Sequence, residues 1–278
     1  MTTLAIVQMS MTTEKKANLE KASSFVEQAT KAGAQLVLLP ELFLGPYFPQ
    51  KESADYFSWA EHFEKSSTLQ HFAKLAKQLS VVLPVSFFEK DGQSYFNSMA
   101  MINSDGAILG NYRKSHIPDG PGYEEKFFFR PGNTGFRVWN TSVGAIGVGI
   151  CWDQWFPEAA RIMTLMGAEV LLYPTAIGSE PAEPELNTKD PWQKAMLGHA
   201  VCNVIPVAAA NRVGNEEGQI FYGSSFISDF RGEKRVELDQ VEENIALADF
   251  DLAQVQKERD AFGFFRDRRP ELYGKLCE

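Results

Sequence analysis

Leu4 to Met9 is a short apolar run that predicts a buried strand. Behind it, Thr12 and Thr13 can cap a helix, and Ala22, Phe25, Val26 and Ala29 recur at i, i+3, i+4 and i+7, one face of that helix. Gly33 ends it, since a glycine adopts the left-handed conformation that closes a last turn. Residues 35–40 read as a second strand with Glu41 at its carboxyl end. A second helix is predicted over 66–79, with Phe72, Leu75, Ala76 and Leu79 on one face, followed by a strand over 81–88. Asp91-Gly92 and Asp105-Gly106 are hairpin-type turns around strands at 95–102 and 107–112.

The second half repeats this alternation less regularly. A Pro- and Gly-rich loop runs over 116–135, and strands are expected at 136–139 and 143–150. Pro157 suits a helix first turn, and Gly167 stops that helix after about Met166. A strand at 169–173 is followed by a polar Glu/Pro-rich loop at 177–190 and a helix at 191–202. Strands are then expected at 204–210, 222–228 and 244–249. Units of βαβ mixed with hairpins predict a layered α/β domain with mixed sheets, and no repeat or linker divides the chain, so 1–278 reads as one domain. No GxGxxG follows the first strand and no GxxxxGK[ST] occurs, so neither a dinucleotide site nor a P-loop is supported.

Composition narrows the class. The 278 residues carry 27 Lys and Arg against 36 Asp and Glu, a net charge of −9, which disfavours a nucleic-acid binder. At 44% hydrophobic and 23% charged the chain has the balance of a globular protein. Three cysteines without a CxxC pair, and no HExxH, argue against a disulfide framework or a zinc site. No apolar run reaches the ~18–20 residues of a membrane span, and the N-terminus reads directly into a strand. The expectation is a cytoplasmic protein with no membrane or nucleic-acid partner.

Candidate chemistry sits at strand ends. Cys151 follows the Gly-laced strand VGAIGVGI and precedes a turn into a helix, a place where a thiol is presented at a sheet edge. Glycines 144, 147 and 149 allow close backbone packing around it. Alone, it reads first as a buried strand-end cysteine. Glu41 is either an edge acid facing water or a catalytic group, and Lys114, a lone lysine at a strand end, reads as a solvated side chain. His116 could pair with Cys151 as in a Cys–His protease, though no local signature supports it. Cys202 is expected as small core packing in its helix, and Cys277 as a tail residue. The run Phe127 to Phe129 is expected as a core strand or a subunit contact.

Together, LLPELFLGPYF, GNYRKSHIPDGPGYEEKFFFRPG and VGVGICWDQWFPEAARIM resemble the carbon–nitrogen hydrolase (nitrilase) superfamily over nearly the whole chain. The resemblance implies a four-layer α-β-β-α sandwich with mixed sheets. It also implies a homodimer or larger homo-oligomer, with the segment from about 252 to 278 in subunit contacts. It carries over a triad of Glu41 as proton acceptor, Lys114 as proton donor and oxyanion stabiliser, and Cys151 as nucleophile. Glu125, rather than Glu124, matches a second, supporting glutamate. No cofactor or metal is implied.

More narrowly, HIPDGPGYEEKF, PTAIGSEP and PWQKAMLGHAVCNVIPVAAANRVG are similar to the branch that hydrolyses N-carbamoylputrescine to putrescine, ammonia and carbon dioxide in polyamine synthesis from agmatine. That reading calls for a small cationic ureido substrate, an acid for its distal ammonium (Glu180 first, Asp119 second), and Tyr123 and Trp152 along its aliphatic chain. The Trp152 amide would donate to the oxyanion. The loop PAEPELNTKD departs from the branch's pattern, which weakens the substrate contacts assigned there. The rivals are a β-ureidopropionase-like or aliphatic amidase-like enzyme with the same triad, and a binding protein on the same fold.

Overall fold

A computed structural model describes residues 1–278. In chain order the strands are β1 (Thr2–Gln8), β2 (Leu36–Leu38), β3 (Leu83–Asp91), β4 (Ser94–Ile102), β5 (Ile108–Arg113), β6 (Val138–Thr141) and β7 (Gly144–Val148). There follow β8 (Val170–Thr175), β9 (Val207–Asn211), β10 (Val213–Glu216), β11 (Gln219–Tyr222), β12 (Phe226–Ser228), β13 (Lys234–Glu237) and β14 (Asn244–Phe250). The α-helices are α1 (Lys15–Lys31), α2 (Ser67–Leu79), α3 (Glu125–Phe128), α4 (Pro157–Leu165), α5 (Lys189–Asn203) and α6 (Leu252–Phe262).

Two sheets stack face to face. In one, the order β14-β1-β2 continues into β3-β4-β5 through a bridge between Leu36 and Val82, where Val37 N–H donates to Val82 O (3.1 Å) and Val82 N–H to Gln35 O (2.9 Å). The other runs β13-β12-β9-β8-β7-β6 and is parallel through β7, β8 and β9. Side chains alternate across each strand. Leu4 and Ile6 of β1 and Val170 and Leu172 of β8 therefore meet between the sheets, with Met99, Tyr112 and Ile146. Ala5 and Val7 face the opposite way, onto Ala22 and Val26 of α1 and Phe72 of α2. Leu171 and Tyr173 face Met163 of α4 and Trp192 and Met196 of α5. The layers are thus helix, sheet, sheet, helix, the four-layer sandwich with mixed sheets that the resemblance implies.

Four local expectations need correction. The loop over 116–135 contains the one-turn helix α3, so Phe127–Phe129 is not a strand: Phe128 and Phe129 plug an aromatic cluster with Phe48 and Phe88, and Phe127 stays exposed. The residues expected as one strand over 222–228 divide between β12 and the end of a separate hairpin, β10–β11. β13 and α6 were not anticipated. In α6 only Val255 and Arg259 are buried, too few apolar positions to write a periodicity, and the helix is marked mainly by its Asp251 cap. Cys202 is exposed, because α5 turns Trp192, Met196, His199, Ala200 and Asn203 inward and leaves Cys202 off that face.

Candidate active site

The site lies where β2, β5 and β7 end. Beyond β7 the chain enters a 3-10 turn over Cys151–Trp155 before Pro157 opens α4. Cys151 adopts φ +40°, a conformation unfavourable for a residue with a Cβ and retained only where the surroundings enforce it. Asp153 does much of this enforcing. Its fully buried carboxylate accepts from Ile150 N–H (2.9 Å), Tyr112 OH (2.7 Å) and His116 N–H (3.0 Å). Gly149 packs so tightly that a Cβ there would lie 2.9 Å from the Tyr173 ring, and one at Gly147 2.9 Å from Leu171. The chain therefore makes a tight turn with the thiol at its tip, 3.7 Å from Ala176 O.

His116 does not pair with the thiol. Its Nδ1 lies 2.7 Å from Asp153 Oδ1, and its ring stacks on Phe156 with centroids 3.6 Å apart. Its place is behind the nucleophile turn.

Glu41 follows β2 in an equally constrained turn. Leu42 has φ +48°, and Arg212, fully buried, donates from Nη2 to the carbonyls of Glu41 (2.8 Å) and Leu42 (3.2 Å). Arg212 is neutralised by Glu216, which also accepts the Tyr47 amide. Lys114 follows β5. Its carbonyl accepts from Gly132 N–H (2.8 Å), where any Cβ would meet Arg113 O at 2.0 Å, so only glycine permits this approach.

The side chains of Glu41, Lys114 and Glu125 are all fully buried and in contact. Lys114 Nζ lies 2.9 Å from Glu41 Oε1 and 2.8 Å from both Glu125 oxygens. Tyr47 OH donates to Glu125 Oε1 (2.6 Å), and Asn97 Nδ2 to Glu41 Oε1 (2.6 Å). Glu41 Oε2 is buried without a partner.

The electrostatics follow. Burial alone would lower the Lys114 pKa, but Glu125, Glu41 and Cys151 outweigh it and hold the ammonium well above its usual range. Burial and the Glu41 charge push Glu125 up to about 7 against the pull of Lys114. Burial and then Glu41 raise the Cys151 thiol, with Lys114 opposing. The resting site thus holds a protonated thiol beside an ammonium and two buried carboxyl groups, an arrangement suited to moving a proton off sulfur only as an electrophile arrives.

A cavity of about 230 Å³ opens over the thiol. Tyr47, Tyr123, Cys151, Trp152 and Ile177 line it together with Asp119, Glu180 and Glu183. No Lys, Arg or His lines it. Glu180 is half-buried, and its pKa is raised by burial and by Glu183. Tyr123 OH accepts from Gly178 N–H (3.0 Å), which ties the wall to the loop carrying Glu180. Glu41, Lys114, Glu125 and Cys151 therefore gather around the buried charges and the thiol, and Asp119, Tyr123, Trp152 and Glu180 line the cavity beside them, while His116, Cys202 and Cys277 lie outside it.

The carbon–nitrogen hydrolase family profile matches residues 3–260. The chain belongs to the carbon–nitrogen hydrolase family. Its relatives include a citrullinase of Francisella tularensis, 50% identical over 98% of this chain and 97% of that protein. An N-carbamoylputrescine amidase of Arabidopsis thaliana is 51% identical over 93% of this chain and 89% of that protein. Among solved structures, a carbon–nitrogen hydrolase from Helicobacter pylori superposes with a TM-score of 0.94 at 39% identity, covering 100% of this chain and 98% of that one.

Sequence reasoning missed Tyr47, Asn97, Asp153 and Arg212 as parts of this hydrolase's site. Tyr47 and Asp153 stand close to Glu41 and Cys151 in sequence, and that closeness was a usable signal. Asn97 and Arg212 lie on other elements, and only the fold brings them in.

Proposed function

We propose that this carbon–nitrogen hydrolase cleaves N-carbamoylputrescine to putrescine, ammonia and carbon dioxide through a thioester on Cys151. The observation that carries the substrate class is the cavity wall: Asp119, Glu180 and Glu183 line it with no Lys, Arg or His, and of the three only Asp119 has a basic partner, the exposed Lys126 at 4.0 Å. A wall of that sign favours a distal ammonium and opposes a carboxylate.

A urea carbonyl is a weak electrophile, so the reaction needs a sulfur nucleophile and charge stabilisation at the oxygen. Glu41 takes the Cys151 proton through its free oxygen as sulfur attacks. The oxyanion is held by Lys114 and by the Trp152 amide, which opens the 3-10 turn and has no acceptor within it. Glu41 returns the proton to the nitrogen that leaves, ammonia first. Water, deprotonated by Glu41, then releases the carbamate, which yields putrescine and carbon dioxide. Glu125, through Tyr47 and Lys114, keeps the ammonium in place. Glu180, with Asp119 as second acid, meets the distal ammonium, while Tyr123 and Trp152 flank the methylenes.

Self-association belongs to this reading. Exposed Ile162, Leu165 and Met166 on and just after α4, with Phe262, Phe264 and Leu272 of the C-terminal segment, supply apolar surface for a dimer contact. No helix is long and apolar enough to cross a membrane, and a cytoplasmic location suits three unpaired cysteines.

The test is ammonia release from N-carbamoylputrescine, citrulline and N-carbamoyl-β-alanine, with Cys151→Ala as blank. Preference for the first supports the proposal. Preference for citrulline, the substrate class of the Francisella relative's name, would move the assignment to a ureido amino acid; preference for N-carbamoyl-β-alanine would reject a cationic substrate.

A further inference from the structure

We infer that Asn97 is a positioning residue that divides the two oxygens of Glu41, fixing Oε1 as the anchored atom and Oε2 as the one that moves the proton. The inference rests on the reading of Glu41 as the base.

Asn97 lies in the middle of β4, fully buried, and bonds to both charged partners. Its Nδ2 donates to Glu41 Oε1 at 2.6 Å, and its backbone carbonyl accepts the Lys114 amide at 2.8 Å. A carboxylate offers only acceptors, so the amide nitrogen must be the end that faces it. Glu41 Oε1 then carries two donors, Asn97 Nδ2 and Lys114 Nζ (2.9 Å), and is saturated along its accessible directions. Oε2 has none, although it is buried.

This asymmetry is costly and therefore informative. A buried acceptor left without a donor has lost its hydration and gained nothing in return. The carboxyl group could relieve that by rotating to share its donors between both oxygens. Two donors converging on Oε1, one from within β4 and one from the end of β5, prevent it, and Arg212 clamps the Glu41 carbonyl behind. The unpaired lone pairs of Oε2 are then held ready for a proton from the thiol or a water. The groups facing this carboxylate are Lys114, with Glu125 and Cys151 beyond it. Lys114 is committed to both glutamates at once, so Asn97 is the neutral donor whose sole charged partner is Glu41.

The experiment compares Asn97→Leu and the near-isosteric Asn97→Asp with wild type, all in a Cys202→Ser, Cys277→Ser background so that iodoacetamide reports on Cys151. Readouts are kcat and KM on N-carbamoylputrescine, the alkylation rate, and the melting temperature. Each Asn97 substitution is also combined with Glu41→Gln. The expected result is a kcat lower by about 10²-fold with KM within about threefold, since general-base catalysis contributes about 10²–10⁴. Alkylation should slow in parallel, and neither substitution should slow it further once Glu41 is Gln, because residues acting through one group are non-additive. Wild-type kcat in the folded Asn97 variants, or equal slowing with and without Glu41, would overturn the inference; the second result would mean a general structural role. Should Asn97→Leu not fold, Asn97→Ala, which removes the donor without adding a charge, carries the same comparison. Full turnover by Glu41→Gln alone would instead remove the reading beneath it.

Discussion

Glu180→Gln isolates the charge that the substrate assignment depends on. The substitution keeps size and hydrogen-bonding reach and removes only the negative charge. Glu180 is half-buried on the cavity wall, with Glu183 as its charged neighbour and no cation beside it. At contact distance an ion pair of this exposure has a gross Coulomb energy of about 4 kcal/mol at an effective dielectric of about 20. Desolvation removes much of that, and hydrogen bonds to charged groups retain about 1.5–3 kcal/mol net. Since 1.4 kcal/mol is about tenfold, kcat/KM for N-carbamoylputrescine should fall by about 10- to 150-fold. N-butylurea has the same chain without the ammonium, and its kcat/KM should change by less than about threefold. The assay is ammonia release from both compounds by both proteins. Equal losses on the two would mean that Glu180 shapes the loop rather than reading charge. No loss on either would remove Glu180 from substrate recognition and pass the role to Asp119.

Two more outcomes follow from the buried charges. Lys114→Ala should lower turnover by about 10²–10³-fold, the effect of losing an oxyanion donor, and lower urea-unfolding stability by about 3–5 kcal/mol, because two buried carboxyl groups lose the cation they both bond; wild-type stability would contradict the buried pairing. Glu125 is raised in the fold to about 7 from an ordinary 4.5, so the native state holds a proton that the unfolded chain has released. Its contribution is complete below about pH 4.5 and is lost as pH rises to about 7, and Glu125→Gln should flatten that fall in stability; identical pH slopes would refute it.

The sandwich was legible only in part. β1 and β8 are continuous apolar runs, which mark strands buried on both faces without saying which residue faces which layer, while the helical spacing of Ala22, Val26 and Ala29 places α1; the layering itself came from the resemblance. The hairpin β10–β11 and strand β13 were not legible, since backbone pairing rather than an apolar run defines them. At the site, Glu41, Lys114 and Cys151 could be noticed as chemically unusual residues at strand ends, but residue type alone left each ambiguous. The resemblance joined them into one set. What surrounds them resisted reading for a physical reason: Asn97 is one of several polar residues in a mostly buried strand, next to Ser98, and Arg212 follows β9 about 170 residues from the carbonyls it clamps. Buried polar residues are placed by their partners, and those partners are distant in sequence.

The most direct test of the account is the intact mass of the protein quenched in acid during turnover of N-carbamoylputrescine. The account predicts an adduct equal to substrate minus ammonia, on the Cys151 peptide, absent from Cys151→Ala and decaying as substrate is exhausted. Steady turnover with no adduct on Cys151, and with Cys151→Ala still active, would contradict it.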